Sequence, residues 1–297
     1  MRAFVAPKSV CIRPLPWSAI GILAGVVLAM CTSGPVAAQA PGAIPDLSSS
    51  ISQAWTPLAR DGRIARYGTG WFDPPAGPGH GPIKPDPDHP YTSNAEAART
   101  GKPPTKRIGN YKDPVLKPWA AAQMKASNDE ALSNEMKIPF AAQARCYPGG
   151  VPGQLLFPFE PMYIIQTPKI VYMMWQRDQW VRRIFLTDRH SDEVKPSWYG
   201  ESIGRYENGE LVVDTIGLAA HPLGVLDMFR TPHTEKLHVV ERFKVTADNK
   251  FLEALIKIED EGTFNEPWYA TKRWKRDPYD WRETICAEEL RVPSSPI

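Results

Sequence analysis

Three carboxylate and arginine positions stand out because they fall where apolar residues are expected. In Leu237–Val245, period-2 alternation puts Leu237, Val239, Glu241 and Phe243 on one face, and His238, Val240, Arg242 and Lys244 on the other. Glu241 is thus a carboxylate in apolar company. The same count places Arg183 with Val181 and Phe185, and Asp214 with Val212 and Ile216. A charge taken from water is costly unless it is paired and hydrogen-bonded, so Glu241 is expected to meet Arg183, and Asp214 an arginine. If these groups converge on one pocket, Glu241 or Asp214 could serve as a general base, with Arg183 or Arg242 stabilising negative charge. The structural alternative is an ion pair that fills space.

A second set lies in the loop Thr187-Asp188-Arg189-His190, continuing to Pro196-Ser197-Trp198-Tyr199-Gly200. Asp188 could hold Arg189, Trp198 could stack on a ligand, and His190 titrates near neutrality. Asp188 and Ser197 are equally ordinary turn formers. Tyr172, Trp175, Phe185 and Phe243 supply aromatic surface for an apolar ligand. His221, His233 and Asp227 lack the short spacing of metal ligands, so no metal is expected. No GxSxG, P-loop, GxGxxG or HExxH pattern occurs, which leaves the common hydrolase, nucleotide and zincin chemistries without support and calls for no cofactor.

The elements that must position these residues are mostly strands. Runs rich in β-branched and aromatic residues occupy 162–167, 170–176, 180–187, 202–206, 211–216, 237–245, 251–259 and 268–274. Asn208-Gly209 between two of them is a type I′ hairpin signal, and 176–179 and 247–250 fit further hairpins. No helix-length segments alternate with the strands, which excludes parallel βαβ units. The expected architecture is mainly β: an antiparallel barrel of about eight strands over 146–297, lipocalin-like, with a β-sandwich as the alternative. Upstream, residues 39–112 are rich in proline and glycine and read as an irregular arm, anchored by Trp55, Trp71 and Phe72. Residues 113–145 read as a helical brace, with a helix from Pro118 to about Leu132 that packs Trp119 and Met124.

The N-terminus reads as a secretory signal peptide over residues 1–38. Arg2, Lys8 and Arg13 precede an apolar run from Ala19 to Met30, and small residues lead to cleavage after Ala38. Cys31 offers a competing lipidation site, with Met30 where a small residue is expected. The run is short for a membrane span, and no transmembrane segment is expected after processing. The full chain carries a formal charge of +2 and the leader three positive charges, so the processed chain is near −1 and has no global attraction for nucleic acid. Of four cysteines, Cys11 and Cys31 leave with the leader, and a Cys146–Cys286 disulfide is the simplest pairing in an oxidising compartment. Two unrelated buried thiols are the alternative.

Several motifs in one order carry a resemblance: Cys146-Tyr147-Pro148-Gly149-Gly150-Val151-Pro152, then Ile165–Pro168, then Gly200-Glu201-Ser202-Ile203-Gly204-Arg205-Tyr206-Glu207 running into Leu211-Val212-Val213-Asp214-Thr215. Leu237–Phe243, Pro267-Trp268, Cys286 and the upstream Leu116–Trp119 follow the same pattern. Over roughly residues 113–290 the chain resembles a family of uncharacterised exported proteins of Gram-negative bacteria. The resemblance implies export and assigns no activity. The chain departs from the family's pattern where Asp188-Arg189 stands for Asp-Gly-Arg and where Tyr206 stands for tryptophan.

Together these readings describe a periplasmic or secreted, disulfide-closed barrel that binds a small apolar or amphipathic ligand. An enzyme of the same fold and a cell-envelope interaction protein using the proline-rich arm are the alternatives.

Overall fold

The computed structural model describes residues 44–64, 71–77, 79–133, 146–156, 161–176, 180–222, 224, 226–281 and 285–286. The leader with its cleavage and lipidation sites, residues 134–145 of the brace and the turn at 177–179 lie outside the described residues.

Nine strands close into one barrel in chain order: β1 (Gln53–Pro57), β2 (Met162–Gln166), β3 (Ile170–Trp175), β4 (Val181–Phe185), β5 (Glu201–Glu207), β6 (Glu210–Ile216), β7 (His238–Val245), β8 (Phe251–Glu259) and β9 (Trp268–Pro278). The sandwich alternative is thereby set aside. Two corrections to the expected barrel follow. It has nine strands instead of eight, because a segment of the proline-rich arm is itself a strand. β1 runs antiparallel to β9 from Gln53↔Pro278 to Pro57↔Trp274, and touches β2 at Trp55↔Met162. Four of its five residues are buried in succession, so it has no period-2 signature, and Pro57 disguises it further. The barrel is also mixed: β4 and β5 pair in parallel, Ile184 with Ser202 and Phe185 with Ile203, while the other pairs are antiparallel. The loop over 186–200 returns the chain to the same end of the barrel before β5 begins.

The Asn208-Gly209 turn between β5 and β6 has both residues at positive φ, 52° and 78°, as a type I′ hairpin requires. Past the end of β1 the arm keeps covering the free edge of β9, through bridges Asp73↔Thr271 and His80↔Trp268. Trp55 and Phe72 are buried, and Trp71 packs against Tyr91 and Phe229. A short helix, α1 (Asn94–Thr100), also forms in the arm. Ser93 caps its N-terminus by accepting from Glu96 N, and Gly101 at φ 73° ends it.

Helix α2 (Pro118–Leu132) starts with proline in its first turn and buries Ala120, Met124, Asn128 and Ala131. Asn128 brackets Gly109, accepting its N–H at 3.2 Å and donating to its carbonyl at 2.8 Å. Trp119, expected to pack, is largely exposed and uses its indole N–H on the Gly262 carbonyl. A disulfide joins Cys146 to Cys286, with Cα atoms 5.5 Å apart across a sequence separation of 140. It ties the approach to β2 to the segment after β9.

The inward faces of β6–β9 carry residues such as Val213, Phe243, Ile256 and Trp274, all buried, while the outward faces carry Glu210, Arg242, Lys244, Glu253 and Arg273. On these four strands the named outward positions are charged, while Ile165, Val181 and Phe185 on β2 and β4 are exposed apolar side chains. Among the described residues no helix is long and apolar enough to cross a membrane.

Candidate functional site

The buried carboxylate anticipated at Glu241 is inside the barrel, but its partner is Arg182 and not Arg183. β4 alternates in the opposite sense to the expected one, with Arg182 and Ile184 buried and Val181, Arg183 and Phe185 exposed. A guanidinium was assigned outward because Val181 and Phe185 are the more obviously apolar pair. It turns inward because four acceptor contacts await it there. Arg182 Nη1 donates to Glu241 Oε1 at 2.9 Å, and Nη2 donates to Glu241 Oε2 and, at 2.9 Å, to Thr215 Oγ1. Nε donates to Ser202 Oγ at 3.2 Å, and the Ser202 and Thr215 hydroxyls bond each other at 2.9 Å. The side chains of Arg182 and Glu241 are 1% and 0% exposed, so neither reaches a substrate. This pair organises the core and is closed off from solvent.

Asp214, expected to face inward, lies on the outer face of β6, opposite Val240 of β7. Leu211, Val213 and Thr215 take the inward positions instead. Outside, Asp214 Oδ1 accepts from two imidazoles: His190 Nε2 at 3.0 Å and His238 Nε2 at 3.1 Å. His190 Nδ1 meets Glu201 Oε1 at 3.0 Å, and His238 Nδ1 lies 3.3 Å from Glu259 Oε2. The result is a chain Glu201–His190–Asp214–His238–Glu259 across β5 to β8. Hydrogen bonding from His238, then from His190, holds the Asp214 carboxyl below its ordinary range. The Ser191 hydroxyl is the leading cause of a lowered Glu201 carboxyl, and the bond to Asp214 raises the His238 imidazole. Both nitrogens of His190 face carboxylates at 3.0 Å, so its ring is held by the protein's own groups. The cluster therefore clamps the 186–200 loop onto the barrel wall. Sequence reasoning had His190 and Asp214 in separate hypotheses and missed His238, Glu201 and Glu259.

The remaining anticipated ligand residues are dispersed. Asp188 and Arg189 are exposed, and Arg189 holds Asp192 at 2.9 Å, not Asp188. Trp198 stacks on Tyr147 with centroids 5.6 Å apart and lies 4.7 Å from the His221 ring, so the protein's own rings flank it. Tyr172 is on the outward side of β3, against the expectation that it lines the interior, while Trp175 and Phe243 are buried among other side chains. Phe243 packs 6.4 Å from the Trp274 ring. His233 bonds the Thr234 carbonyl and Asp227 bonds Thr231, each within its own turn. Among the described residues no group of three or more ligating side chains could hold a metal ion.

Arg242, among the anticipated residues, lines an open concavity. A groove of about 600 Å³ runs along the outer faces of β6–β9, with one wall formed by the arm at Leu58–Arg60, Gly62, Asp73, Pro75 and Ala76. Two cross-strand rows make its floor. One is Glu210↔Lys244↔Glu253↔Arg273, alternating in sign, and the other is Arg242↔Leu255↔Thr271. Arg242 Nε donates to Glu210 at 2.7 Å, Arg273 pairs with Glu253 at 3.0 Å, and Arg60 pairs with Asp73. Leu255 is an exposed apolar side chain between these charges. Lys272 also lines the groove. It is buried and donates to the Trp71 carbonyl at 3.1 Å, and burial pushes its amine down to about 8. Four basic and three acidic side chains line the groove from the outer face, with Lys272 buried on the inward side of β9 behind them. The charge ladder is invisible along the chain and becomes readable only once strand register is known. Comparison of the chain with protein-family models, curated proteins and solved structures finds no match to any of them.

Proposed function

We propose that this chain is an exported barrel protein that binds a small amphipathic anion in the groove between the arm and the outer faces of β6–β9. The observation that carries the reading is the groove's lining. Its volume of about 600 Å³ falls in the range of small-molecule sites, roughly 300–1,000 Å³. Outward basic side chains exceed acidic ones by four to three, Lys244 being the one outside the pairs Arg242–Glu210, Arg273–Glu253 and Arg60–Asp73, which favours an anion. Leu255, Leu58, Pro75 and Ala76 offer apolar contact beside the charges. The lipocalin-like expectation put the ligand inside the barrel. The side chains that fill the interior, Trp55, Met162, Phe243 and Trp268 among them, lead us to place it outside. Export to the periplasm is supported by the leader pattern and by a disulfide of the kind oxidising compartments sustain.

Isothermal titration of the processed protein with decanoate and with the uncharged decanol tests this. Decanoate is expected to bind more tightly, and Leu255→Glu or Lys244→Glu to weaken it by about tenfold or more. Equal binding of the two ligands, or an affinity untouched by both substitutions, refutes the site. Protease accessibility of the protein in intact and outer-membrane-permeabilised cells tests the address.

A further inference from the structure

Among the described residues, Arg230 is a buried cation without a counter-ion in ion-pair contact. It sits between β6 and β7 in the turn 226–231, at φ 63°, where a residue with a side chain is strained. Asp227 builds the turn that holds it there. Asp227 Oδ1 accepts from Phe229 N at 2.8 Å and Thr231 N at 3.3 Å, Oδ2 accepts from Thr231 Oγ1 at 2.6 Å, and Leu226 N donates to the Thr231 carbonyl at 3.1 Å. Those contacts use both oxygens of Asp227, so the nearest carboxylate in sequence is not the partner of Arg230. Glu130 of α2 attracts the guanidinium without being in ion-pair contact with it.

Arg230 is 7% exposed, and its Nε and Nη2 are buried with no hydrogen-bond acceptor. A guanidinium stays protonated under ordinary conditions, so this is a desolvated charge with two idle donors. The contrast with Arg182 is informative. That guanidinium, also buried, has carboxylate and hydroxyl acceptors for Nε, Nη1 and Nη2. The idle atoms of Arg230 are also a specific pair. Nε and Nη2 form the side edge of the guanidinium, whose two parallel N–H bonds match the two oxygens of a carboxylate or a phosphate.

We infer that Arg230 anchors a second binding site, separate from the groove, which takes a carboxylate or phosphate group on its Nε–Nη2 edge. The strained turn presents the fork, and Asp227 is spent on holding the turn, so the bound oxyanion supplies the missing acceptors. Nε and Nη2 are both buried, which suits a free oxyanion or the head group of a larger molecule.

Thermal unfolding of the processed protein in phosphate, in acetate and in chloride at matched ionic strength tests the inference. Phosphate or acetate is expected to raise Tm over chloride in a saturable way. Phosphate alone, acetate alone or both doing so distinguishes the preferred oxyanion. Arg230→Leu is expected to abolish the rise, and Arg230→Lys, which keeps the charge but loses the fork, to weaken it at least tenfold in apparent affinity. Lys244→Glu, which alters the groove, is expected to leave it intact. Should Arg230→Leu not fold, Arg230→Lys and the wild-type Arg Nε–H NMR resonance, which is expected to shift on adding phosphate or acetate, provide the same decision. A wild-type Tm indifferent to both anions, an unchanged rise in Arg230→Lys, or a rise lost in Lys244→Glu overturns the inference.

Discussion

The Arg182–Glu241 pair gives the sharpest quantitative test of how this barrel is held together. Arg182→Met removes the contacts to both Glu241 oxygens and those to Ser202 and Thr215. Ser202 and Thr215 remain bonded to each other at 2.9 Å, so their loss is small. Glu241, at 0% exposure, is left as a buried carboxylate without its counter-ion. Removing one member of such a pair costs about 3–5 kcal/mol, whereas replacing both with apolar residues of similar volume is commonly neutral. We therefore expect Arg182→Met to destabilise by about 4 kcal/mol, Glu241→Leu by a comparable amount, and Arg182→Met/Glu241→Leu by about 1 kcal/mol or less. Urea unfolding of the four proteins, disulfide intact, completes the cycle. A double variant that costs the sum of the two singles, or an Arg182→Met variant within about 1 kcal/mol of wild type, refutes the coupling read from the geometry.

Three further outcomes follow from the same structure. His238 is raised from 6.5 by Asp214, so its contribution is present below that value and is lost as pH rises through the folded pKa. Asp214 and Glu201 are lowered from 3.8 and 4.5, so theirs is present above those values and is lost in acid. The clamp on the 186–200 loop is thus strongest between about pH 4.5 and 6.5, and amide protection in that loop, relative to the intrinsic exchange rate at each pH, should be highest there and lose its pH optimum in His238→Gln. Lys272 is buried with its amine brought down from 10.5 to about 8, an unfavourable contribution of roughly 3 kcal/mol at pH 7 by linkage. Lys272→Met should match or exceed wild-type stability at pH 7 and lose that advantage by pH 10; a clear destabilisation at pH 7 contradicts the reasoning. Cys146→Ala/Cys286→Ala opens a loop with a sequence separation of 140 and should lower unfolding stability by about 5 kcal/mol on the chain-entropy account, as read by urea titration.

Much of the wall of this barrel was legible along the chain, because β5–β8 alternate cleanly and Asn208-Gly209 marks its own hairpin. Glu241 was also legible, since a carboxylate breaking an apolar row announces itself. Its partner was not. In Val181-Arg182-Arg183-Ile184-Phe185 both registers place one arginine inside, and a one-residue slip turns every side chain over. Hydrophobicity alone favoured Val181 and Phe185 inward, and the hydrogen-bonding needs of Glu241 decided otherwise. Asp214 was misplaced for the same reason: Leu211, Val212 and Val213 are all buried, so the period is blurred where it mattered. β1 was hidden because its neighbours along the sheet, β2 and β9, lie far away in sequence. The groove was hidden because its charges come from four strands and the arm, and no linear spacing relates them.

The seam at β1 sets an order of assembly. Gln53 pairs with Pro278, so one of the first segments of the barrel to leave the ribosome must wait for nearly the last. The hairpins from β5 to β9 can form locally, but ring closure has high contact order and requires a completed chain. Until then the edge of β9 that β1 covers is an open template for other strands. Ring closure is therefore a late event that joins the two ends of the barrel sequence, and the exposed β9 edge marks the stage at which mispairing with another chain is easiest.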